Sequence, residues 1–218
     1  MTININAGLA ITMQSAIAAA RTITAITRAA PGVISSTTHG YVNGDILLLR
    51  VAGMHELNLR VVRVIAAAAD SFQIAGPDGT TGLDTSNYGT FTSGTAERLT
   101  MGTAIGGVAD FSPSGGDAKF VDTTTVHDIA DRQRVVGSNP LSYSMDLQWN
   151  PADPGQIALK AIAETFVSRA FRIRYPSGAN LMLFGSVGFS GAPGGGRQGV
   201  ATATAAIAAD GLPTISAA

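Results

Sequence analysis

The chain offers few side chains that could carry chemistry, and their spacing assembles no metal centre. It contains no cysteine, which excludes disulfide frameworks, thiolate metal sites and cysteine nucleophiles. The three histidines, His39, His55 and His127, share neither a His-Glu-x-x-His frame nor an i, i+4 spacing. We therefore expect them at surface or turn positions, and we predict neither a bound metal nor a cofactor.

The carboxylates and glycines also lack a catalytic arrangement. Asp146 lies in an alternating strand pattern, Asp153 suits a helix cap, and Glu164 falls on the polar side of a short helix. The glycines of residues 185–191 form no dinucleotide-binding, phosphate-binding or nucleophile-elbow motif. We therefore predict that the protein has no catalytic residues and is not an enzyme.

A small basic cluster is formed by Arg169, Arg172 and Arg174. Strand alternation places Arg172 and Arg174 on one face, where they could bind phosphate. We favour ion pairs between these two arginines and carboxylates of a neighbouring subunit or of a long loop.

Composition limits the partners. Only 13% of the 218 residues are charged, and the formal net charge is −1, so no basic excess indicates binding to nucleic acid or to an anionic membrane. A low-charge surface favours self-association. No run of 18 apolar residues predicts a membrane span, and residues 7–20 lack the preceding basic residue of a signal peptide.

The hydrophobic pattern predicts a mainly β fold in two parts. Residues 3–21 fit either a strand or a short helix. Residues 22–99 form a compact all-β unit, in which runs 46–51, 59–65 and 71–74 alternate with turn signals. In residues 100–218 the hydrophobic runs are spaced differently, and we predict strands at 102–111, 141–149, 169–175, 180–189 and 200–208.

The clearest elements are one strand and one helix. Residues 141–149 alternate strictly, which predicts a buried face of Leu141, Tyr143, Met145, Leu147 and Trp149 and a wet face of Ser142, Ser144, Asp146 and Gln148. A helix follows, with Asp153 as N-cap, Pro154 at the first position and Gln156 at capping-box spacing. Its predicted apolar stripe is Ile157, Ala158, Ala161, Ile162 and Thr165, and it ends near Phe166.

Residues 112–140 form an unusually long polar connection. We interpret this segment as a binding arm that carries mixed charges, on Asp117, Lys119, Asp122, Asp128, Asp131, Arg132 and Arg134.

Residues 141–216 resemble the conserved part of lambda-type siphophage tail tube proteins, and a fainter likeness extends back through residues 99–111 and the long connection. The likeness is carried in order by the Leu147-Gln148-Trp149-Asn150-Pro151 strand end, the Asp153-Pro154-Gly155-Gln156 helix start, residues 170–178 and Asp210-Gly211-Leu212-Pro213. It implies a tail-tube β-sandwich or barrel with one flanking helix. It also implies a structural virion protein that forms hexameric rings, stacked into the hollow tube through which phage DNA is delivered.

Residues 22–95 resemble a second module, the small β domain named after the first catalytic-cysteine half of ubiquitin-activating enzymes. The likeness rests on residues 23–27, Pro31-Gly32-Val33, His39-Gly40-Tyr41, Asn43-Gly44-Asp45, Gly53-Met54 and Phe72-Gln73-Ile74. It implies an all-β insert, residues 22–99, on the tube exterior, and a core built from residues 1–21 and 100–218. The insert would stabilise the tube or adhere weakly to glycans.

These resemblances also imply partners and a location. The chain would bind copies of itself, a tape measure protein inside the tube, and tail terminator and tail tip proteins, and DNA would pass without sequence-specific binding. The protein would reside in the virion after assembly in the host cytoplasm.

The wet face of Ser142, Ser144, Asp146 and Gln148 would line the lumen or be an ordinary solvent face. Strands 102–111, 141–149, 180–189 and 200–208 are our candidates for the lumen sheet, and the arm would reach the next ring. The alternative function is a virion-surface adhesion module for host glycans, favoured by an exposed aromatic patch among Tyr41, Phe72, Tyr88 and Phe91.

Overall fold

The computed structural model describes residues 8–197 and 199–217. The first half of this range forms eight strands, β1 (Ala10–Ile17), β2 (Arg21–Ile23), β3 (Ala25–Ile26), β4 (Ile34–Ser35), β5 (Ile46–Ala52), β6 (Arg60–Ile65), β7 (Ser71–Ile74) and β8 (Ser93–Ala104). The rest forms one helix, α1 (Pro154–Thr165), and strands β9 (Val108–Ser114), β10 (Ala118–Asp122), β11 (Gln133–Ser138), β12 (Ser142–Gln148), β13 (Arg169–Arg174), β14 (Asn180–Phe189), β15 (Thr202–Ala209) and β16 (Thr214–Ser216). The mainly β prediction is confirmed.

One large sheet organises the molecule, with the strand order β3-β4-β7-β6-β5-β8-β1-β13-β14-β15-β12-β9. Side chains from β1 and β13 share one core with side chains from β12 and β15, for example Met13, Phe171, Met145 and Ala205. Since these strands are separated within the sheet, their shared core requires the sheet to curl around it. Helix α1 closes this core with Leu159, Ile162 and Ala163.

Of the opening segment, for which the sequence allowed a strand or a helix, residues 10–17 form a strand. Residues 3–7 lie outside the described part of the chain.

The single strand predicted at 102–111 is wrong. β8 ends at Ala104 and β9 begins at Val108, separated by residues 105–107, where Gly107 adopts a φ of +73°. The amide of Ile105 still donates to Ile11, and the chain then turns towards β12.

Residues 22–99, called the insert below, contain a hydrophobic core of their own, centred on Leu47, Leu49, Phe72 and Ile74. A third cluster joins the insert to the rest of the sheet. In it Leu48 and Val61 of the insert cover Met182 and Phe184 of β14. β8 spans residues 93–104 without a break, so it crosses the predicted boundary between residues 99 and 100.

Helix α1 begins and ends as predicted. The Asp153 carboxylate accepts a hydrogen bond from the Gln156 amide, Pro154 occupies the first turn, and Phe166 terminates the helix in the left-handed region with a φ of 54°.

The predicted apolar stripe of α1 is partly correct but shifted, since Ile162 is buried and Ala158 is half-buried, whereas Ala161 and Thr165 are exposed. The buried positions are Gly155, Gln156, Leu159, Ile162 and Ala163, whereas Ile157 is 56% exposed. Gln156 is the reason for part of this shift, because its side chain turns inward. Its Oε1 accepts from the Asn150 amide and its Nε2 donates to Gln148 and Gly106 carbonyls, so the second half of a capping box is not formed.

Candidate assembly surfaces

Strand β12 carries the alternation that its sequence predicts. Tyr143, Met145 and Leu147 are buried in the core inside the curl, and the opposite face points to solvent. Ser142 and Ser144 on that face are half-buried, and Asp146 and Gln148 are exposed. Trp149 does not continue the buried face as predicted, because the strand has ended and its side chain is 38% exposed.

Strand register extends this polar face across three strands. Ser142, Ser144 and Asp146 lie opposite Ser114, Ser112 and Asp110 of β9. On the other side, Ser144, Asp146 and Gln148 lie opposite Ala206, Thr204 and Thr202 of β15. We call this surface the polar face, and its residues are Asp110, Ser112, Ser114, Ser142, Ser144, Asp146, Gln148, Thr202, Thr204, Ala206 and Ala208.

The polar face is acidic and contains no lysine or arginine among these residues. Asp110 and Asp146 are direct cross-strand partners. Two like charges in this position destabilise the sheet. The Asp146 Oδ1 accepts a hydrogen bond of 2.7 Å from the Thr204 hydroxyl. Sequence reasoning missed Asp110, although its alternation with Ser112 and Ser114 was a detectable signal.

Three of the four predicted lumen strands correspond to β14, β15 and β12, which lie side by side with β9 at this end of the sheet, in the order β14-β15-β12-β9. β9 is the terminal strand, so one row of its backbone groups has no partner strand in the described part of the chain. Pro113, which lacks a backbone N–H, lies in this edge strand, as expected for a proline within a sheet.

The long connection is a β-hairpin rather than an irregular loop. β10 and β11 pair with each other and with no other described strand. All residues from 112 to 140 are exposed except Asp128, which is half-buried. Residues 112–114 of the predicted arm belong to β9, so from here on the arm means residues 115–140. Gly115 and Gly116 at its base adopt φ values of +83° and +82°, a backbone conformation that glycine reaches without strain.

Hydrogen bonds within the arm order its tip. Asp122 accepts from the amide and hydroxyl of Thr124, and these bonds hold the pKa of Asp122 below its usual value. Asp128 accepts from Thr125 and forms an ion pair of 3.2 Å with Arg132. Two of the predicted charged residues of the arm therefore pair with each other.

The arm also exposes apolar side chains. Phe120 and Val135 are cross-strand partners on one side of the hairpin, 58% and 59% exposed. Val126 and Ile129 at the tip are almost fully exposed. Apolar groups left in solvent on an ordered element are typical of an interaction surface. These apolar residues were not predicted as contacts from the sequence; only the charged residues of this segment were, which include Asp117, Lys119, Asp131 and Arg134.

Arg172 and Arg174 share one face of β13, as the alternation predicts, and this face lies towards the insert. Arg63 of β6 lies beside them and was missed. In the described part of the chain neither Arg172 nor Arg174 forms an ion pair with a carboxylate. Their pairing with a neighbouring subunit stays a prediction.

The histidines are dispersed. His39 is not at the surface as expected but is 3% exposed, where it packs against Tyr41 and Phe72 and accepts the Tyr41 amide hydrogen bond at Nδ1. No group of three or more histidine or acidic side chains within residues 8–197 and 199–217 is arranged to hold a metal ion. No helix among the same residues is long and apolar enough to cross a membrane.

The aromatic side chains of the insert do not form the exposed patch that would favour glycan adhesion. Tyr41 and Phe72 are 7% and 0% exposed and belong to the insert core, and Tyr88 and Phe91 are half-buried against it.

Comparison with known proteins places these surfaces in context. One solved structure similar to this chain is the tail of an empty GTA particle, determined by helical refinement with C6 symmetry. It is 19% identical, with a TM-score of 0.41, and the match covers 55% of this chain and 87% of that chain. No curated protein sequence matches the chain. The family model of the phage tail tube protein (TTP) matches residues 52–218, well over half of the chain. The chain therefore belongs to the phage tail tube protein family and is a structural subunit of a virion tail.

Proposed function

We propose that six copies of this chain form a ring and that the rings stack into a hollow tail tube that delivers DNA. The exposed arm carries this proposal, because it is an ordered hairpin with uncovered apolar side chains, and its two strands pair with no other strand in the described part of the chain. If assembly buries the exposed 58% of Phe120, about 100 Å² of apolar area leaves water, a contribution of about 2 kcal/mol per subunit. Stacking on the next ring would cover this surface.

The polar face is our candidate for the lumen wall. Hydroxyl and methyl side chains present no cation to DNA phosphates, and Asp110 and Asp146 repel them. Repetition around a ring would multiply this charge, so that DNA passes without being held. A basic face at the same place would retain DNA through the release of its counterions.

The insert would then lie on the tube exterior. It covers the outer side of β13 and β14 through Met182 and Phe184. The polar face is formed by the outer sides of β15, β12 and β9. β13 and β12 are separated by β14 and β15 in the curled sheet and pack their other sides on the same core, so the outer side of β13 faces away from the polar face. A lumen at the polar face therefore leaves the insert outside.

The open edge of β9 supports ring closure. An unpaired edge strand invites another chain to add to the sheet, and a closed ring satisfies every such edge with identical contacts. Pro113 removes one donor from this edge and restricts which register can form.

The finer assignment follows the resemblance in the sequence. We assign the tube to a lambda-type siphophage tail and the insert to the small β module of ubiquitin-activating enzymes. The partners would be the tape measure protein inside the tube and the tail terminator and tail tip proteins at its ends. Assembly would take place in the host cytoplasm.

The test replaces residues 117–138 by Asn-Gly and examines the purified protein by negative-stain electron microscopy. The amide of Gly116 already donates to Asn139, so a short turn closes the gap. We expect a folded subunit that forms no tubes, whereas the unaltered chain forms tubes of uniform width. Tubes of normal width from the shortened chain would refute the role of the arm.

A milder variant tests the same role of the arm if the shortened chain does not fold. Phe120→Ser with Val135→Ser keeps the hairpin backbone and removes the paired apolar surface. Lys119→Ser, on the opposite side of the same strand, is the matched control. Assembly should fail in the first variant and persist in the second.

A further inference from the structure

A cavity of about 280 Å³ lies where the insert meets β13 and β14. Three arginines line it, Arg63 from β6 of the insert and Arg172 and Arg174 from β13. Ser216 of β16 lines the same cavity. Residues far apart in sequence thus converge on one small space that is suited to an ion rather than to a drug-sized ligand.

Several polar atoms at this cavity are buried without a partner. Ser216 is 1% exposed, and its hydroxyl has no hydrogen-bond partner in the described part of the chain. The Nε atoms of Arg63 and Arg172 are buried and equally unpaired there. A buried donor left unsatisfied is costly, and native structures pair the great majority of them. All three groups can donate a hydrogen bond.

The charge of the cavity is also unbalanced. Among the described residues, those that line it include three arginines and no carboxylate side chain. Asp45 is the acidic neighbour of the lining residue Gly44, but its carboxylate already pairs with Arg98 at 3.6 Å and accepts the Val42 amide at 3.0 Å. The Arg63 Nη2 donates to the Gly79 carbonyl, which is neutral.

We propose that this cavity binds a small oxyanion of the phosphate class. A tetrahedral oxyanion can accept hydrogen bonds from several guanidinium groups and from a serine hydroxyl at once. Its charge offsets the mutual repulsion of Arg63, Arg172 and Arg174, and its oxygens satisfy the donors that are otherwise unpaired. The site is complete within one subunit and does not depend on tube formation.

The bound ion would bridge the insert to the rest of the subunit. Arg63 belongs to the insert, and the other donors belong to β13 and β16. Binding to the folded state alone raises stability, so phosphate should stabilise the junction between the two parts.

The direct test is calorimetric titration of the purified chain with inorganic phosphate at pH 7.5, with chloride adjusted to hold the ionic strength constant. We expect one phosphate per chain. Arg172→Gln should weaken binding by at least about tenfold, since a charge-assisted hydrogen bond is lost. Ser216→Ala should weaken it about fivefold without a change in charge. Arg134→Gln, on the exposed arm, removes the same charge and should leave binding unchanged.

Two results would overturn the proposal. If the unaltered chain takes up no phosphate and its melting temperature does not rise with phosphate, the cavity holds water only. If phosphate does not bind but folded Arg172→Gln fails to form tubes, the arginines serve a carboxylate of a neighbouring subunit. Should Arg172→Gln not fold, the neutral variant Ser216→Ala and the titration of the unaltered chain still decide the question.

Discussion

Removing one carboxylate from the polar face should make the subunit more stable. Asp110 and Asp146 are direct partners on β9 and β12, a geometry with about 5 Å between Cβ atoms. Two unit charges at that distance in water repel by about 0.8 kcal/mol, and physiological salt screens part of this. We therefore expect Asp110→Asn to raise the free energy of unfolding by about 0.5 kcal/mol, which raises the melting temperature by about 1–2 °C for a chain of this size.

The assay is thermal unfolding of the unassembled subunit at low salt and at 1 M NaCl. The gain from Asp110→Asn should be present at low salt and vanish at high salt, because screening removes the repulsion. Asp117→Asn is the matched control. It removes the same charge from the base of the arm, outside the register of β10 and β11, and should leave the melting temperature unchanged.

Either of two outcomes would refute this reasoning. A loss of stability in Asp110→Asn would mean that the carboxylate makes a favourable contact, and a gain that persists at 1 M NaCl would have a cause other than charge. With the expected result, tubes of Asp110→Lys should retain double-stranded DNA that tubes of the unaltered chain release. Equal retention of DNA by both kinds of tube would show that the polar face does not line the lumen.

Three further changes probe the fold. Asp153→Ala removes the cap of α1 and should lower the free energy of unfolding by about 1 kcal/mol, measured by urea denaturation. Phe166→Gly removes the backbone strain of the left-handed φ at the end of α1 and should raise the free energy of unfolding by about 1 kcal/mol. A decrease would mean that the exposed ring of Phe166 packs on the subunit. Burial raises the pKa of Tyr41 to about 12, above its unfolded value near 10. Stability should therefore fall between pH 10 and 12, and circular dichroism should find a smaller fall in Tyr41→Phe.

Local patterns predicted the elements whose signals are contained in a few adjacent residues. The Asp153-Pro154 pair marks the start of α1 because capping and the fixed φ of proline act within one turn. The alternation of β12 was readable because one face of that strand is buried and the other is not.

The burial of α1 could not be read from its own sequence. Which face of a helix is buried depends on the surface it meets, and Gln156 is drawn inward by backbone groups of Gln148, Asn150 and Gly106. A polar side chain with three such partners is buried at little cost, so a hydrophobic pattern does not identify it.

The hairpin of the arm and the arginine-lined cavity were not predicted from the sequence, for different reasons. The arm is mostly polar and its strands are short, so its composition predicts a loop. Its two strands pair with each other and with no other strand among the described residues, so neither strand has a buried face that alternation could reveal. Arg63 and Arg172 are brought together by the sheet topology, through the packing of the insert on β14. No spacing in the sequence encodes that contact.

The continuity of β8 determines how the insert is held. This strand is 12 residues long, about 40 Å. It pairs with β5 and β2 at one end and with β1 at the other. The chain entering the insert is tied to the same strand, since the Ala18 amide donates to the Arg98 carbonyl. The insert is therefore joined by hydrogen-bonded sheet rather than by a flexible linker. Force applied to it passes along β8 into the core, and in a regular assembly every copy would be displayed at one fixed angle and spacing.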